Sequence, residues 1–290
     1  MLDQINRPDR SAFDVQVTLS PIPLDREKGK ALLNAADLPP LRQANILDVG
    51  CGLGDLTHGL AQSPTIIDSD IYAFDHSVQS LRQAAVNGTP ANGNRLHFSA
   101  QDALQLCFAE GFFDFVAGSA VLHHFLDYPG FFRELRRIMK PGATAVFSEP
   151  FFDGYFWPAL FLKNAMAEHN IGLEEPGFSG AKIIIQLVDF MARNRGNTPT
   201  LEHMTDKHFF RDSEIFDRAR EAGFHSVAFS NVALPAFYTA WMPYFLDIYG
   251  VTHASVRYSA IAQYQKAADL AGPLLPEIMS HFKYIVLRNS

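Results

Sequence analysis

The sequence predicts an α/β protein: a doubly wound, seven-stranded, mostly parallel sheet with an antiparallel last strand and a helical lid. Three observations predict it. Short apolar runs alternate with helical stripes between residues 45 and 150. A glycine-rich turn joins the first of those runs to the first of those stripes. Two aromatic-rich stretches then interrupt the alternation, one after Pro150 and one before the chain end.

The elements follow in order. A proline-rich loop (Pro8, Pro21, Pro23) leads into a short helical stretch from Asp25 to Ala36, stopped by Pro39-Pro40. Asn45 to Val49 is the first strand; it runs into Gly50-Cys51-Gly52-Leu53-Gly54 and a helix from Asp55 to Gln62. The second strand, Ile71 to Phe74, ends at Asp75. Ser77 is placed to cap the next helix, with Val78, Leu81 and Ala85 on one face and Asn87-Gly88 closing it. Leu96 to Ser99 and Phe113 to Ala117 are the third and fourth strands. Phe131, Leu135 and Ile138 form a helical stripe that stops at Lys140-Pro141-Gly142, before a fifth strand from Thr144 to Phe147. The pattern resumes at Asp212, an expected N-cap, with Ile215, Ala219 and Ala222 on one face and Gly223 as the stop. Ser226 to Phe229 and Phe282 to Leu287 are the sixth and seventh strands. Three parts result: an N-terminal helical segment, 1–44; a sheet domain, 45–150 with 211–232 and 281–290; and a helical lid, 151–210 with 233–280.

Composition bounds the function. The chain has 290 residues, 48% of them hydrophobic and 19% charged, which fits an ordinary globular protein. A net charge of -7 argues against a nucleic-acid partner, because a phosphate-backbone binder needs cationic side chains. Two cysteines, Cys51 and Cys107, make neither a disulfide framework nor a cysteine-rich zinc site. The start of the chain has no apolar stretch after a basic one, and no uncharged apolar run approaches ~18 residues. The expectation is a soluble, cytoplasmic protein with no membrane partner and no metal.

A strand, a glycine turn and a helix make a ligand cradle, because free N–H groups converge where glycine lets a ligand touch backbone. The spacing Gly50-x-Gly52-x-Gly54 is not the G-x-G-x-x-G of dinucleotide sites, and Asp55 would face a pyrophosphate at the helix start, so a nicotinamide cofactor is disfavoured. Asp48 adds a negative group that suits a cation, unless it merely orients the loop. Asp75 stands where an acidic residue grips a ribose diol in doubly wound folds, and Asp102 where a base amino group could be met.

Residues Ile46 to Gly54 resemble motif I of the class I S-adenosylmethionine-dependent methyltransferases, which have a Rossmann-like fold. Asp75 matches the family's ribose ligand, and Gln101-Asp102-Ala103 its adenine-contacting segment. Phe113 to Val116 and Ser119 to His124 resemble the fourth-strand motif of its small-molecule, ubiquinone-biosynthesis-like branch; Leu135 to Ala143 resembles the helix and turn before its fifth strand. The resemblance implies S-adenosylmethionine as cofactor and S-adenosylhomocysteine as product. It implies a cofactor set of Asp48, Gly50, Gly52, Gly54, Asp75, His76, Gln101, Asp102, Ala103 and Ser119.

If the acceptor must lose a proton, the candidate bases are His124 first, then His123, then Glu149, all at the carboxyl edge of the sheet. The plainer readings are a satisfied histidine starting a helix and a hydrogen-bonded loop carboxylate. The Ser119-Ala120-Val121-Leu122 stretch lacks the Asn/Asp-Pro-Pro-Tyr of enzymes that methylate adenine or glutamine.

Both inserts leave the sheet at the edge where a methyl group would sit. One carries Phe151, Phe152, Tyr155, Phe156, Trp157 and Phe161; Ile184, Leu187, Val188 and Met191 follow on an amphipathic stripe. The other insert places Phe237, Trp241, Tyr244 and Ile248 on one helical face and Tyr238, Met242, Phe245 and Tyr249 on another, which predicts burial on two sides and a kink at Pro243. The rings have three readings: lid core, a pocket for an apolar or aromatic substrate, or a homodimer interface. The expected function is methyl transfer to a small, largely apolar metabolite. The rivals are a fold relative with other chemistry, an inactive cofactor-binding partner subunit, and a nicotinamide reductase, the last disfavoured by the missing Tyr-x-x-x-Lys pair.

Overall fold

The computed structural model describes residues 27–193, 207–231, 235–274 and 282–289. Its centre is a seven-stranded sheet: β1 (Asn45–Val49), β2 (Asp70–Asp75), β3 (Arg95–Ala100), β4 (Phe113–Ser119), β5 (Met139–Pro150), β6 (Ser226–Asn231) and β7 (Phe282–Arg288). The spatial order is β3-β2-β1-β4-β5-β7-β6. All pairs are parallel except those of β7, which runs antiparallel to both β5 and β6. Two further short stretches, Leu41–Arg42 and Ile66–Ile67, pair beside it. The predicted architecture is therefore the observed one.

Alternating residues of β1 explain the layers. Ile46 points into a core with Leu32 and Ala36 of α1 (Glu27–Ala36) and Leu56 and Leu60 of α2 (Asp55–Ala61). Its neighbour Leu47 joins the opposite core, with Phe131 and Leu135 of α4 (Tyr128–Ile138) and Ile215 and Ala219 of α7 (Asp212–Glu221). A strand apolar on both sides needs helices on both sides. The switch in strand order lies between β1 and β4, where ligands bind in open sheets.

Three local expectations are corrected. In α3 (Val78–Val86), Ser77 does cap, accepting from Ser80 N, but Val78 and Ala85 are exposed. The inward face is Ser80, Leu81, Gln83 and Ala84. A Gln83–Asn87 hydrogen bond, and one from Asn87 to Leu53 O, satisfy its polar groups, so polar residues face in. Asp212 is not an N-cap: Arg211 holds that position, and both Asp212 oxygens accept from Lys283 Nζ of β7. Lys140-Pro141-Gly142 does not precede the fifth strand but lies within it, as an irregularity between the Met139 and Thr144 pairings.

The inserts form a second body of four helices: α5 (Phe152–Glu168), α6 (Ser179–Arg193), α8 (Pro235–Ile248) and α9 (Ala254–Ala271). They share one core that includes Tyr155, Phe178, Trp241, Phe245 and Tyr264. Asp25 of the first helical stretch and the side chains of Leu187, Met191, Phe237 and Tyr238 lie outside the described residues. Among the described residues, no helix is long and apolar enough to cross a membrane.

Candidate active site

The glycine loop after β1 is left-handed at Gly50 (φ 64), Gly52 (φ 50) and Gly54 (φ 92). The three glycines differ in what surrounds them. A Cβ at Gly50 would lie 2.2 Å from Val121 Cγ2, and one at Gly54 would meet His58 and Ala84 at 3.0–3.1 Å. At Gly52 nothing lies within 4 Å. Gly50 and Gly54 are thus demanded by close packing, whereas Gly52 presents bare backbone to open space.

Asp75 closes the loop from the end of β2. Its Oδ2 accepts from Gly52 N at 2.9 Å and its Oδ1 from Ser77 N at 2.8 Å, with His76 Nδ1 at 3.4 Å. Each carboxylate oxygen has two acceptor positions, so these backbone bonds do not exhaust it. The next strand end lies alongside: Asp75 pairs with Ala100, and Gln101 N donates to Asp75 O. Gln101 is held through its side chain to Ser99 Oγ and Cys107 N; Asp102 is exposed and accepts from Leu104 N; Ala103 packs on the sheet core. Ser119 is half-buried at the end of β4, beside the same edge. The structure thus gathers Gly52, Asp75 and residues 101–103 around one edge.

Asp48 is buried at 1% exposure. Its Oδ2 accepts from Thr57 Oγ1 of α2, and its Oδ1 has no hydrogen-bond partner among the described residues. Burial pushes its carboxyl up to about 7, against the lowering effect of the Thr57 hydrogen bond. The same surroundings, burial first and then Asp48 and Asp75, hold the Cys51 thiol well above its ordinary range. Sequence reasoning missed Thr57; a hydroxyl in the first turn of the helix after the glycine loop was the available signal.

The histidines sit on a short turn, Leu122–His124, after β4. Glu149, at the end of β5, is fully buried beneath it. Its Oε1 accepts from Val121 N and Leu122 N, both at 2.9 Å, and its Oε2 lies 2.7 Å from His123 Nδ1. Glu149 is thus enclosed, engaged by two backbone N–H groups and in contact with His123. His123 itself is 5% exposed and packs on the half-buried His124 ring at 4.0 Å.

Residues 207–211 form a strap across this edge, with no signal in the sequence. Lys207 N donates to His123 O, and His208 Nε2 to Phe125 O at 2.9 Å. Phe209 enters the helical-insert core and Phe210 the sheet core. Burial holds the His208 imidazole below its usual range.

The aromatic inserts are core in part: Phe152, Tyr155, Trp241 and Phe245 are buried, while Phe156, Trp157 and Phe161 are half-buried. Trp241 is 2% exposed, and its Nε1 donates to Gly154 O of α5 at 2.8 Å. Met242 and Phe245 are buried, but Tyr244 and Ile248 are exposed at 55% and 51%, so α8 is not buried on both of its apolar faces. The helix continues through Pro243.

Residues 47–147 match the family model described as a methyltransferase domain. Residues 47–147 form a methyltransferase domain. The chain is 30% identical to an O-methyltransferase of Penicillium expansum, over 39% of this chain and 40% of that one. It is 29% identical to a 2-phytyl-1,4-naphtoquinone methyltransferase of Synechococcus elongatus, over 43% and 60% of the two chains. The matches thus span about two-fifths to three-fifths of these relatives. The fold is shared more widely. A chain of the Haloferax volcanii complex between the Trm112 methyltransferase activator and its methyltransferase superposes with a TM-score of 0.54 at 16% identity, covering 91% of both chains.

The residues of the methyltransferase domain fit its cofactor. The open space at Gly52 gives a ligand room beside the backbone, the remaining acceptor positions of Asp75 suit a ribose diol, and the orphaned Oδ1 of Asp48 suits an amino group.

Proposed function

We propose that this protein transfers a methyl group from S-adenosylmethionine to a small, largely apolar or aromatic metabolite. The observation that carries the reading is the open backbone at Gly52, flanked by Asp75 and by the orphaned oxygen of Asp48. When bound, the cofactor supplies a methyl group on a positively charged sulfur. Gly50, Gly52 and Gly54 shape the cradle, Asp75 holds the ribose, and Gln101, Asp102 and Ala103 flank the base, with His76 and Ser119 at its rim. Relatives named for norajmaline and for 2-phytyl-1,4-naphtoquinone support a small-molecule acceptor.

The base is His123, and Glu149 is its positioning residue. A carboxylate only accepts, so His123 Nδ1 carries the hydrogen that faces Glu149, and in the neutral ring the basic lone pair is on Nε2. His124, the first choice from the sequence, packs its ring on that of His123. The four-helix insert acts as a lid that excludes water from this edge. The exposed Tyr244 and Ile248 favour a second copy of the chain as partner, which sedimentation would test by finding a dimer that Tyr244→Glu disperses.

Calorimetric titration tests the reading. S-adenosylmethionine should bind, and Asp75→Ala should weaken it by ~1.5–3 kcal/mol through loss of a charged acceptor. Preferential binding of NADH would overturn the proposal. Turnover of a candidate acceptor separates the enzyme from an inactive cofactor-binding subunit.

A further inference from the structure

The turn that carries His123 is held from two directions. Glu149 fixes the imidazole from the end of β5, 2.7 Å from Nδ1. The strap fixes the backbone: Lys207 N donates to His123 O at 2.7 Å, and His208 Nε2 to Phe125 O at 2.9 Å. A single short turn such as Leu122–His124 has poor hydrogen-bond geometry of its own, so partners from outside matter to its shape. Side chains alternate along the strap as on an extended strand. His208 and Phe210 face the sheet, where both rings meet Tyr128 and Phe210 also meets Phe151. Phe152 N donates to Phe210 O, which ties the strap to the end of β5 as well. Phe209 faces the other way. It is buried in the core of the four-helix insert, with its ring 4.6 Å from that of Tyr155 in α5. Arg211 adds a second tie, its guanidinium 4.0 Å over the Phe152 ring. Successive residues of the strap thus stand in two different cores, and only a short run of planar peptides separates Phe209 from the N–H that reaches His123.

We propose that Phe209 is a positioning residue for His123: the helical insert holds the imidazole against Glu149 through the strap. The insert then does more than exclude water. Anchored at Phe209, it sets the turn after β4. Without that anchor, His123 O and Phe125 O lose donors fixed in place, and the ring is free to swing away from Glu149 Oε2. The cofactor cradle is spared, because the strap's hydrogen bonds fall on His123 and Phe125. Val121, which stands beside Gly50, is fixed separately through its N–H on Glu149. The effect on turnover rests on the reading of His123 as the base; the effect on the imidazole does not.

Nitrogen-15 NMR of the full chain labelled at histidine reads the Nδ1 proton between His123 and Glu149, assigned by its loss in His123→Gln. In the native protein that proton should give a downfield, slowly exchanging signal. Phe209→Ala should broaden it or speed its exchange with water ~10-fold or more, and Phe209→Leu should restore most of it. Phe178→Leu thins the same insert core where Phe178 stacks on His253, and should leave the signal unchanged at a matched loss of stability. Turnover in Phe209→Ala should fall ~10- to 100-fold with cofactor affinity kept within about twofold, since a small displacement of a catalytic group costs that much. A native-like His123 signal in folded Phe209→Ala would overturn the proposal and leave His123 as the base, which His123→Ala tests separately. A disturbed signal with full turnover would uphold the coupling and remove His123 as the base. Where Phe209→Ala does not fold, Lys207→Pro removes the N–H that reaches His123 and changes neither core. An undisturbed signal in that variant would overturn the proposal too.

Discussion

His123 and Glu149 stand 26 residues apart in sequence and 2.7 Å apart in space, Nδ1 to Oε2, with the carboxylate wholly enclosed. The same carboxylate accepts from the backbone of Val121 and Leu122, so one side chain at the end of β5 sets both the shape of the turn after β4 and the orientation of its imidazole.

That double role predicts a split between two variants. Glu149→Gln keeps an acceptor for Val121 N and Leu122 N but turns an amide hydrogen toward His123, which reverses the imidazole tautomer. Turnover should fall ~10²-fold or more and the pH–rate profile should change shape, with cofactor affinity kept. Glu149→Ala should also destabilise the fold by ~1–3 kcal/mol, because buried amides lose their acceptor. Steady-state kinetics and denaturant unfolding read the two effects separately.

His123→Ala should cost more turnover than His124→Ala, the reverse of the order the sequence suggested. Equal losses in single-turnover assays would show that the Glu149 contact does not select the base.

The glycine loop predicts different penalties at neighbouring positions. Gly50→Ala forces a Cβ to 2.2 Å from Val121 and should cost more than ~2 kcal/mol of stability, since strain adds to the left-handed backbone. Gly52→Ala meets no atom within 4 Å, so stability should fall by only ~1–2 kcal/mol while cofactor affinity suffers most. Thermal unfolding with and without ligand distinguishes them.

Trp241→Ala should act on the fold. A 2%-exposed indole that bonds Gly154 O is core, and its removal should cost ~3–5 kcal/mol in denaturant unfolding. Substrate affinity of the surviving folded fraction should change little, contrary to a pocket role.

Ligand-free stability should depend on pH through Asp48. Its folded-state carboxyl sits at about 7 against an ordinary 3.8, so between those values the folded chain binds more protons than the unfolded one. Stability contributed by this group is therefore present at low pH and lost as pH rises toward 7. Asp48→Asn should flatten that fall, as measured by unfolding midpoints on either side of the window.

What the sequence determined by itself was local. The Gly50-x-Gly52-x-Gly54 spacing after an apolar strand, Asp75 at the next strand end, and the Ser77 cap are each set within a few residues, so backbone conformation and turn chemistry write them directly into the chain. The alternation of strand and helix then left one sheet architecture consistent with short, right-handed connections.

What only the tertiary structure decided involves partners distant along the chain. Whether Glu149 faced a substrate or the backbone depended on where β4 and β5 placed Val121 and His123. Whether Trp241 lined a pocket depended on α5 lying against α8, and whether Asp212 capped its helix depended on Lys283 reaching it from β7. The inward face of α3 departs from its apolar pattern because Gln83 donates to Asn87 inside, which no hydrophobic pattern reports. A residue's type states which bonds it can make; the fold alone brings the partner that settles which of them it does make.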